Sequence, residues 1–355
     1  MAKLKRSGRS ALVAVTLTLL MVGSSFWADR GIAQSSPSNF GVSGGNVNDI
    51  TRRFCCSGTL GALVEDNTGV QYILSNNHVL GRSDQAAAGE DISQPGLIDN
   101  NCRVPPIVAD FTTAPTLNSN VDAAIAELRP GTMNPNGDIE GIGPISSVVA
   151  APAVGMDVAK RGRTTGLTTG TISSINTSVN VQYQRGCGQG KKFVVSFTGQ
   201  VVVSGSSFSA GGDSGSLIVT NDSCHQPVGL LFAGSSTTTI GNPAGEVITK
   251  VSQRLGRTVG FVGDSCSASA SSRRGRGGPS QEAVEFATIS ARGRERDLMS
   301  RAGVIGVGVG VRDNNSAETA IVVYVDQSSP ARPRLPRLIN GVQVKIVYTD
   351  PFVAY

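Results

Sequence analysis

Histidine is nearly absent from this chain: two of 355 residues, His78 and His225. Any chemistry that needs an imidazole therefore has a very short list of candidates. The six cysteines, at positions 55, 56, 102, 187, 224 and 266, include no C-x-x-C pair, and the histidine nearest to any of them, His225, directly follows Cys224. That spacing argues against a zinc centre, and no metal or cofactor is expected. Long apolar runs are missing too, since the longest, Ala11 to Val22, falls well short of the ~20 residues a membrane helix needs. Aromatic residues make up only 5% of the chain and its arginines are dispersed. The basic surface interleaved with aromatics that binds nucleic acid is therefore lacking.

What the chain does contain is consistent with export. Lys3, Lys5, Arg6 and Arg9 precede the apolar run, and Gly31-Ile32-Ala33 offers the small residues a signal peptidase reads, so residues 1–33 are read as a signal peptide. A secreted or periplasmic location follows, without a stable membrane anchor once the signal is removed. Cysteines confined to residues 34–266 suit an oxidising compartment. By neighbourhood, Cys55 or Cys56 is expected to bridge to Cys102, and Cys187 to Cys224.

Charge divides the remainder. Residues 34–266 carry 14 basic and 17 acidic side chains, whereas residues 267–355 carry 12 and 8. Two domains are therefore expected, at 34–266 and 280–355, joined by a flexible linker at 267–279 that is rich in serine, glycine and arginine. Short apolar or alternating runs between turn signals, such as Thr59 to Val64, Val70 to Leu74, Phe193 to Phe197 and Val228 to Phe232, make the first domain nearly all β. A short helix is expected at 245–255. In the second domain a helix at 281–299 precedes strands at 304–311, 320–325 and 342–347. Gly306, Gly308 and Gly310 follow a G-x-G-x-G spacing with no helix after it, so they are read as one strand face under a closely packed helix rather than a nucleotide loop.

The densest chemical signal is Ser209-Ala210-Gly211-Gly212-Asp213-Ser214-Gly215-Ser216. Glycines on both sides of Ser214 allow a tight loop whose backbone N–H groups can converge beside the hydroxyl. A serine becomes nucleophilic when a base takes its proton, and the usual base is an imidazole oriented by a carboxylate. His78 ends the apolar run Tyr72-Ile73-Leu74-Ser75-Asn76-Asn77, at a strand terminus, while His225 has the composition of a plain turn. Asp122 lies in Asn120-Val121-Asp122-Ala123-Ala124-Ile125, where a polar loop turns into a strand with no basic residue nearby. His, Asp and Ser thus follow one another in one of the orders known for this triad.

These segments resemble the His, Asp and Ser boxes of the chymotrypsin superfamily of serine endopeptidases. Lys160 to Ile172 is similar to the glycine- and threonine-rich strand of the bacterial branch, such as alpha-lytic protease and the streptogrisins, and Val228 to Ser235 to the strand lining the primary pocket. The resemblance runs from about residue 55 to 255. It implies an all-β, two-barrel chymotrypsin-like protease domain, followed by a small α+β module. Ser214 would be the nucleophile, His78 the general base and then acid, and Asp122 the group that fixes the imidazole. The N–H groups of Gly212 and Ser214 would form the oxyanion hole, and Phe208, Ser209, Phe232, Ala233 and Gly234 the substrate pocket.

The chain also departs from that pattern. Val79 stands where many relatives have cysteine, so another device must brace the histidine loop. Ser75-Asn76-Asn77 leaves two amides to satisfy, and Ser216 stands where a second glycine is common. Phe232 and Ala233 replace a serine and a large aromatic. With no carboxylate at Phe208 and no histidine on the pocket strand, a small or medium apolar side chain is the default substrate preference. The expected activity is that of an exported serine endopeptidase acting on proteins or peptides through an acyl-enzyme. The alternatives are a catalytically silent peptide-binding module and a self-processing precursor whose C-terminal module makes an intramolecular, regulatory contact.

Overall fold

The computed structural model describes residues 37–267, 278–313 and 317–355. The expected signal peptide and nearly all of the expected linker lie outside them. The described part of the chain forms one compact unit from Pro37 to Tyr355.

Strands dominate, as the alternating apolar runs predict, and they form two curled sheets. The first has eight strands: β1 (Val42–Asn46), β2 (Gly58–Leu60), β3 (Ala62–Asp66), β4 (Gln71–Ser75), β5 (Asp91–Ser93), β6 (Ile107–Thr113), β7 (Ala124–Leu128) and β14 (Val259–Phe261), ordered β14-β3-β4-β7-β6-β5-β1-β2. Leu60, Leu63, Tyr72, Ile73, Leu74, Ile92 and Ile125, all at most 2% exposed, belong to the core of this half. Two helices belong to this half. α1 (Asn77–Leu80) is a single turn after β4, and α2 (Ala244–Leu255) lays Val247 and Val251 onto the same core. The 3.6-residue period puts these two valines on one face.

The second sheet contains β8 (Asp157–Gly162), the long β9 (Gly166–Gln184), β10 (Lys192–Ser204), β11 (Leu217–Thr220), β12 (Pro227–Gly234) and β13 (Thr238–Pro243). β10 pairs with both β13 and β9, so these six strands close on themselves as an antiparallel barrel. β9 is 19 residues long; it pairs with β8 over Gly166–Thr171 and with β10 over Thr171–Gln184, with register shifts between Ile172 and Val179. The molecule therefore has the two-barrel architecture, with α1 in one half and the loop before β11 in the other.

The C-terminal part of the chain is a small α+β module. Helices α3 (Gln281–Arg292) and α4 (Glu295–Met299) pack Ala287, Ala291 and Leu298 against β15 (Val304–Val311) and β16 (Thr319–Asp326). The helix expected over 281–299 is interrupted between them, at Gly293 and Arg294. β18 (Val342–Thr349) runs parallel to β16, and β17 (Leu338–Ile339) forms a hairpin with it. The module shares the second sheet: β15 pairs with β9, and a last strand, β19 (Phe352–Ala354), lies between β9 and β12. Gly308 and Gly310 are small for a reason other than a helix. A Cβ on Gly308 would overlap the Thr177 side chain, and one on Gly310 the Ser173 carbonyl, both on β9.

The disulfides are Cys55–Cys102, Cys56–Cys187 and Cys224–Cys266. The expected pairing of Cys187 with Cys224 is therefore corrected. The turn after β9 carries Cys187 back to the adjacent pair, while Cys224 meets the segment after β14.

Candidate active site

The site is built around His78, which the end of β4 and the one-turn helix α1 place at the rim of the first sheet. The two asparagines before it hold the turn. Asn76 Nδ2 donates to the Asp122 carbonyl at 2.6 Å, while Asn77 Nδ2 donates to Asp84 Oδ1 and to the Pro115 carbonyl. Asn77 Oδ1 in turn accepts the Asp84 N–H. With Val79 in place of cysteine, this amide network braces the loop.

Asp122 is wholly buried just before β7. Its Oδ2 accepts from His78 Nδ1 at 2.6 Å and from the Tyr183 hydroxyl at 2.8 Å, and its Oδ1 accepts from the His78 backbone N–H at 3.1 Å. Its own N–H donates to Asn242 Oδ1 at 2.9 Å. Three donors thus converge on one carboxylate, which is fixed from both barrels.

The other ring nitrogen, Nε2, lies 3.0 Å from the carbonyl oxygen of Tyr355. A carboxylate and a main-chain oxygen can only accept, so a cationic imidazole, which donates from both nitrogens, is the form that makes both bonds at once. Burial opposes that charge, but Asp122, the Tyr355 carbonyl and the more distant Asp49 outweigh it, and the His78 pKa stands above its ordinary 6.5.

Tyr183, in the second half of β9, gave no signal in the sequence. From β9 it supplies a hydroxyl to Asp122. Burial and the neighbouring Asp122 charge hold its phenol well above the usual 10.0, so it remains a donor. A Tyr183→Phe change removes one hydrogen bond to a buried charged group. It is expected to lower stability by about 1.5–3 kcal/mol in urea unfolding.

Ser214 sits on the loop before β11, fully buried. Its Oγ donates to the Phe232 carbonyl at 3.2 Å and not to His78. The structure therefore joins His78 to Asp122 and leaves Ser214 turned toward the pocket strand. Gly212 has φ +97°, and a Cβ there would lie 2.5 Å from Thr164 Oγ1 and 2.7 Å from Arg163 Nη1. Thr164 Oγ1 donates to the Gly211 carbonyl at 2.7 Å. The trans peptide then points the Gly212 N–H the opposite way.

Of the residues expected to form the pocket, Phe232 packs its ring on Phe197, with centroids 4.8 Å apart. Ala233 and Gly234 pair with Ala354 and Val353 of β19. Ser209 Oγ bonds to Thr239 Oγ1 at 2.5 Å. Phe208 is buried in the core cluster against which Tyr355 packs. His225 lies apart in its turn, with Nδ1 donating to the Pro144 carbonyl at 3.2 Å.

A family model described as the Nal1 C-terminal domain matches residues 120–243, a span that contains Asp122, Tyr183 and Ser214 but not His78. No curated protein matches the chain. Several solved structures of bacterial serine proteases are similar at low identity. A glutamic-acid-specific serine protease described as using a novel histidine triad in substrate binding is 21% identical, with a TM-score of 0.42, over 62% of this chain and 98% of its own. Thermobifida fusca protease A is 19% identical with a TM-score of 0.42 over 63% and 98%. Cellulomonas bogoriensis chymotrypsin is 18% identical with a TM-score of 0.42 over 64% and 99%.

Beneath the serine loop lies a buried ion pair that sequence reading also missed. Asp213 and Lys160 are both fully buried, with Nζ 3.3 Å from Oδ2. Asp213 also accepts the N–H groups of Thr164, Thr165 and Ala210 and the Thr165 hydroxyl. Burial works against the Asp213 charge, but the Thr165 hydroxyl, Lys160 and these N–H groups prevail and hold its pKa below 3.8. Lys160 leads the glycine- and threonine-rich segment, and its place in that string was the available clue.

Proposed function

We propose that the protein is an exported serine endopeptidase. Ser214 attacks the peptide carbonyl, His78 takes its proton and later delivers it to the leaving amine, and Asp122 holds the ring and offsets its charge. The N–H groups of Gly212 and Ser214 receive the developing oxyanion, each worth ~3 kcal/mol in comparable sites. The Phe232–Gly234 edge of β12 aligns the substrate chain, and protein or peptide substrates follow from that edge. The three disulfides fit an oxidising compartment. Among the described residues no helix is long and apolar enough to cross a membrane.

The observation that carries the reading is the 2.6 Å bond from His78 Nδ1 to the buried Asp122, with Nε2 aimed at the carbonyl of an extended peptide segment. To take the serine proton the base must also come within hydrogen-bond reach of the Ser214 hydroxyl, which calls for that hydroxyl to turn from the Phe232 carbonyl toward Nε2. One observation favours a second reading, a peptide-binding cleft without turnover: the Ser214 hydroxyl is bonded to Phe232 rather than to His78.

A serine-reactive fluorophosphonate separates the two. The reading expects covalent labelling of the folded protein that a Ser214→Ala variant abolishes. Absence of Ser214-dependent labelling in every form of the protein, including one whose cleft has been emptied, rules out the catalytic reading.

A further inference from the structure

The cleft holds a peptide that belongs to the chain itself. β19 lies antiparallel to the pocket strand, with Ala354 opposite Ala233 and Val353 opposite Gly234, and the Tyr355 N–H donates to the Phe232 carbonyl at 3.4 Å. Beyond that bond the Tyr355 carbonyl reaches His78 Nε2. An extended backbone paired along one edge, ending with a carbonyl at the base, is how the acyl half of a substrate would lie.

The side chain of Tyr355 is equally well placed. Its hydroxyl donates to the Ser235 carbonyl at 2.9 Å. The phenol lies directly over Gly234, where a Cβ would overlap both the ring and the hydroxyl. Only glycine leaves that space. The segment is tethered upstream by Phe352, which is 1% exposed and meets Tyr324 edge-on at 5.7 Å, and by Asp350, which accepts from Ser236 and from Gln327 Nε2.

We propose that Val353–Tyr355 is a built-in ligand of the cleft, seated in the manner of the acyl side of a substrate, and that the pocket over Gly234 takes a tyrosine side chain. The proposal rests on reading the cleft as the substrate site of a protease. It replaces the small or medium apolar preference expected from sequence with an aromatic one. It also gives the protein a self-inhibited state. With the Tyr355 carbonyl on Nε2 the imidazole donates from both nitrogens and cannot accept the serine proton, which leaves the Ser214 hydroxyl to the Phe232 carbonyl.

The test uses the full chain and its Tyr355→Ala and Tyr355→Phe variants, with two readouts. Hydrogen exchange of the 350–355 segment reports docking without any need for turnover, and fluorophosphonate labelling reports access to Ser214. Docking predicts that the Tyr355 amide exchanges at least about tenfold more slowly in the unaltered chain than in Tyr355→Ala, with Tyr355→Phe nearer the former because it keeps the ring. Inhibition predicts that labelling of Ser214 speeds up about tenfold in Tyr355→Ala. Exchange of the segment at the rate of an unstructured peptide overturns the proposal, whatever Ser214 does. A segment released by Tyr355→Ala without any change in Ser214 labelling overturns the inhibitory role. A protected segment in a protein that labels in no variant sustains the docked ligand and its tyrosine pocket, and removes the protease reading instead.

Discussion

An Asp122→Asn variant is expected to lower kcat/KM by about 10⁴-fold on a peptide substrate. The size follows from the bonds the carboxylate accepts. Asp122 takes the His78 Nδ1–H and the Tyr183 hydroxyl on Oδ2 and the His78 backbone N–H on Oδ1. An amide has one acceptor oxygen, so whichever way it turns, an NH₂ group confronts one of the His78 donors. If that group faces Nδ1, the ring proton moves to Nε2 and the base can no longer accept from Ser214. The pH profile adds a second check. The base must be neutral, so activity rises as pH climbs through the His78 pKa, which Asp122 and its other neighbours hold above 6.5. Removing the Asp122 charge is expected to move what activity remains to a profile with a lower midpoint. An unchanged rate constant and midpoint would show that Asp122 has no part in the chemistry.

The second large effect is on folding. A Lys160→Met variant removes the ammonium beside Asp213 while filling its space, and leaves a buried carboxylate without a counter-charge. Stability is expected to fall by about 3–5 kcal/mol in denaturant unfolding near neutral pH. The sign can be checked against pH. The folded Asp213 pKa lies below its usual 3.8, so its contribution is present above that value and is lost as pH falls through the folded one. The deficit of the variant is therefore expected to shrink in acid. A deficit independent of pH would assign the loss to packing instead.

Local patterns in the chain carried much of this architecture. The alternating runs announce the strands, because one buried face per strand writes itself as a period of two. His78, Asp122 and Ser214 stood out because each sits where an apolar run meets small polar residues, and those junctions become strand ends facing the cleft. Tyr183 did not stand out. Its place depends on the register of β9 across three register shifts, which no local string encodes. Tyr355 was equally silent, because its contact with His78 joins positions 277 residues apart. Disulfide partners were half legible for the same reason: Cys55 and Cys102 are 47 residues apart, whereas Cys187, 131 residues from Cys56, is brought to it by the long reach of β9 and β10. The charge asymmetry marked a compositional change near residue 267, yet composition says nothing about which strand will pair with which.

That pairing has a consequence for solubility. From Ser174 to Gln182 one side of β9 is covered by β10 and the other by β15 and β19. Without residues 280–355, the second side would present a row of bare backbone N–H and C=O groups ready to recruit a strand from another molecule. The α+β module thus acts as a guard against edge-to-edge association of the barrel it adjoins.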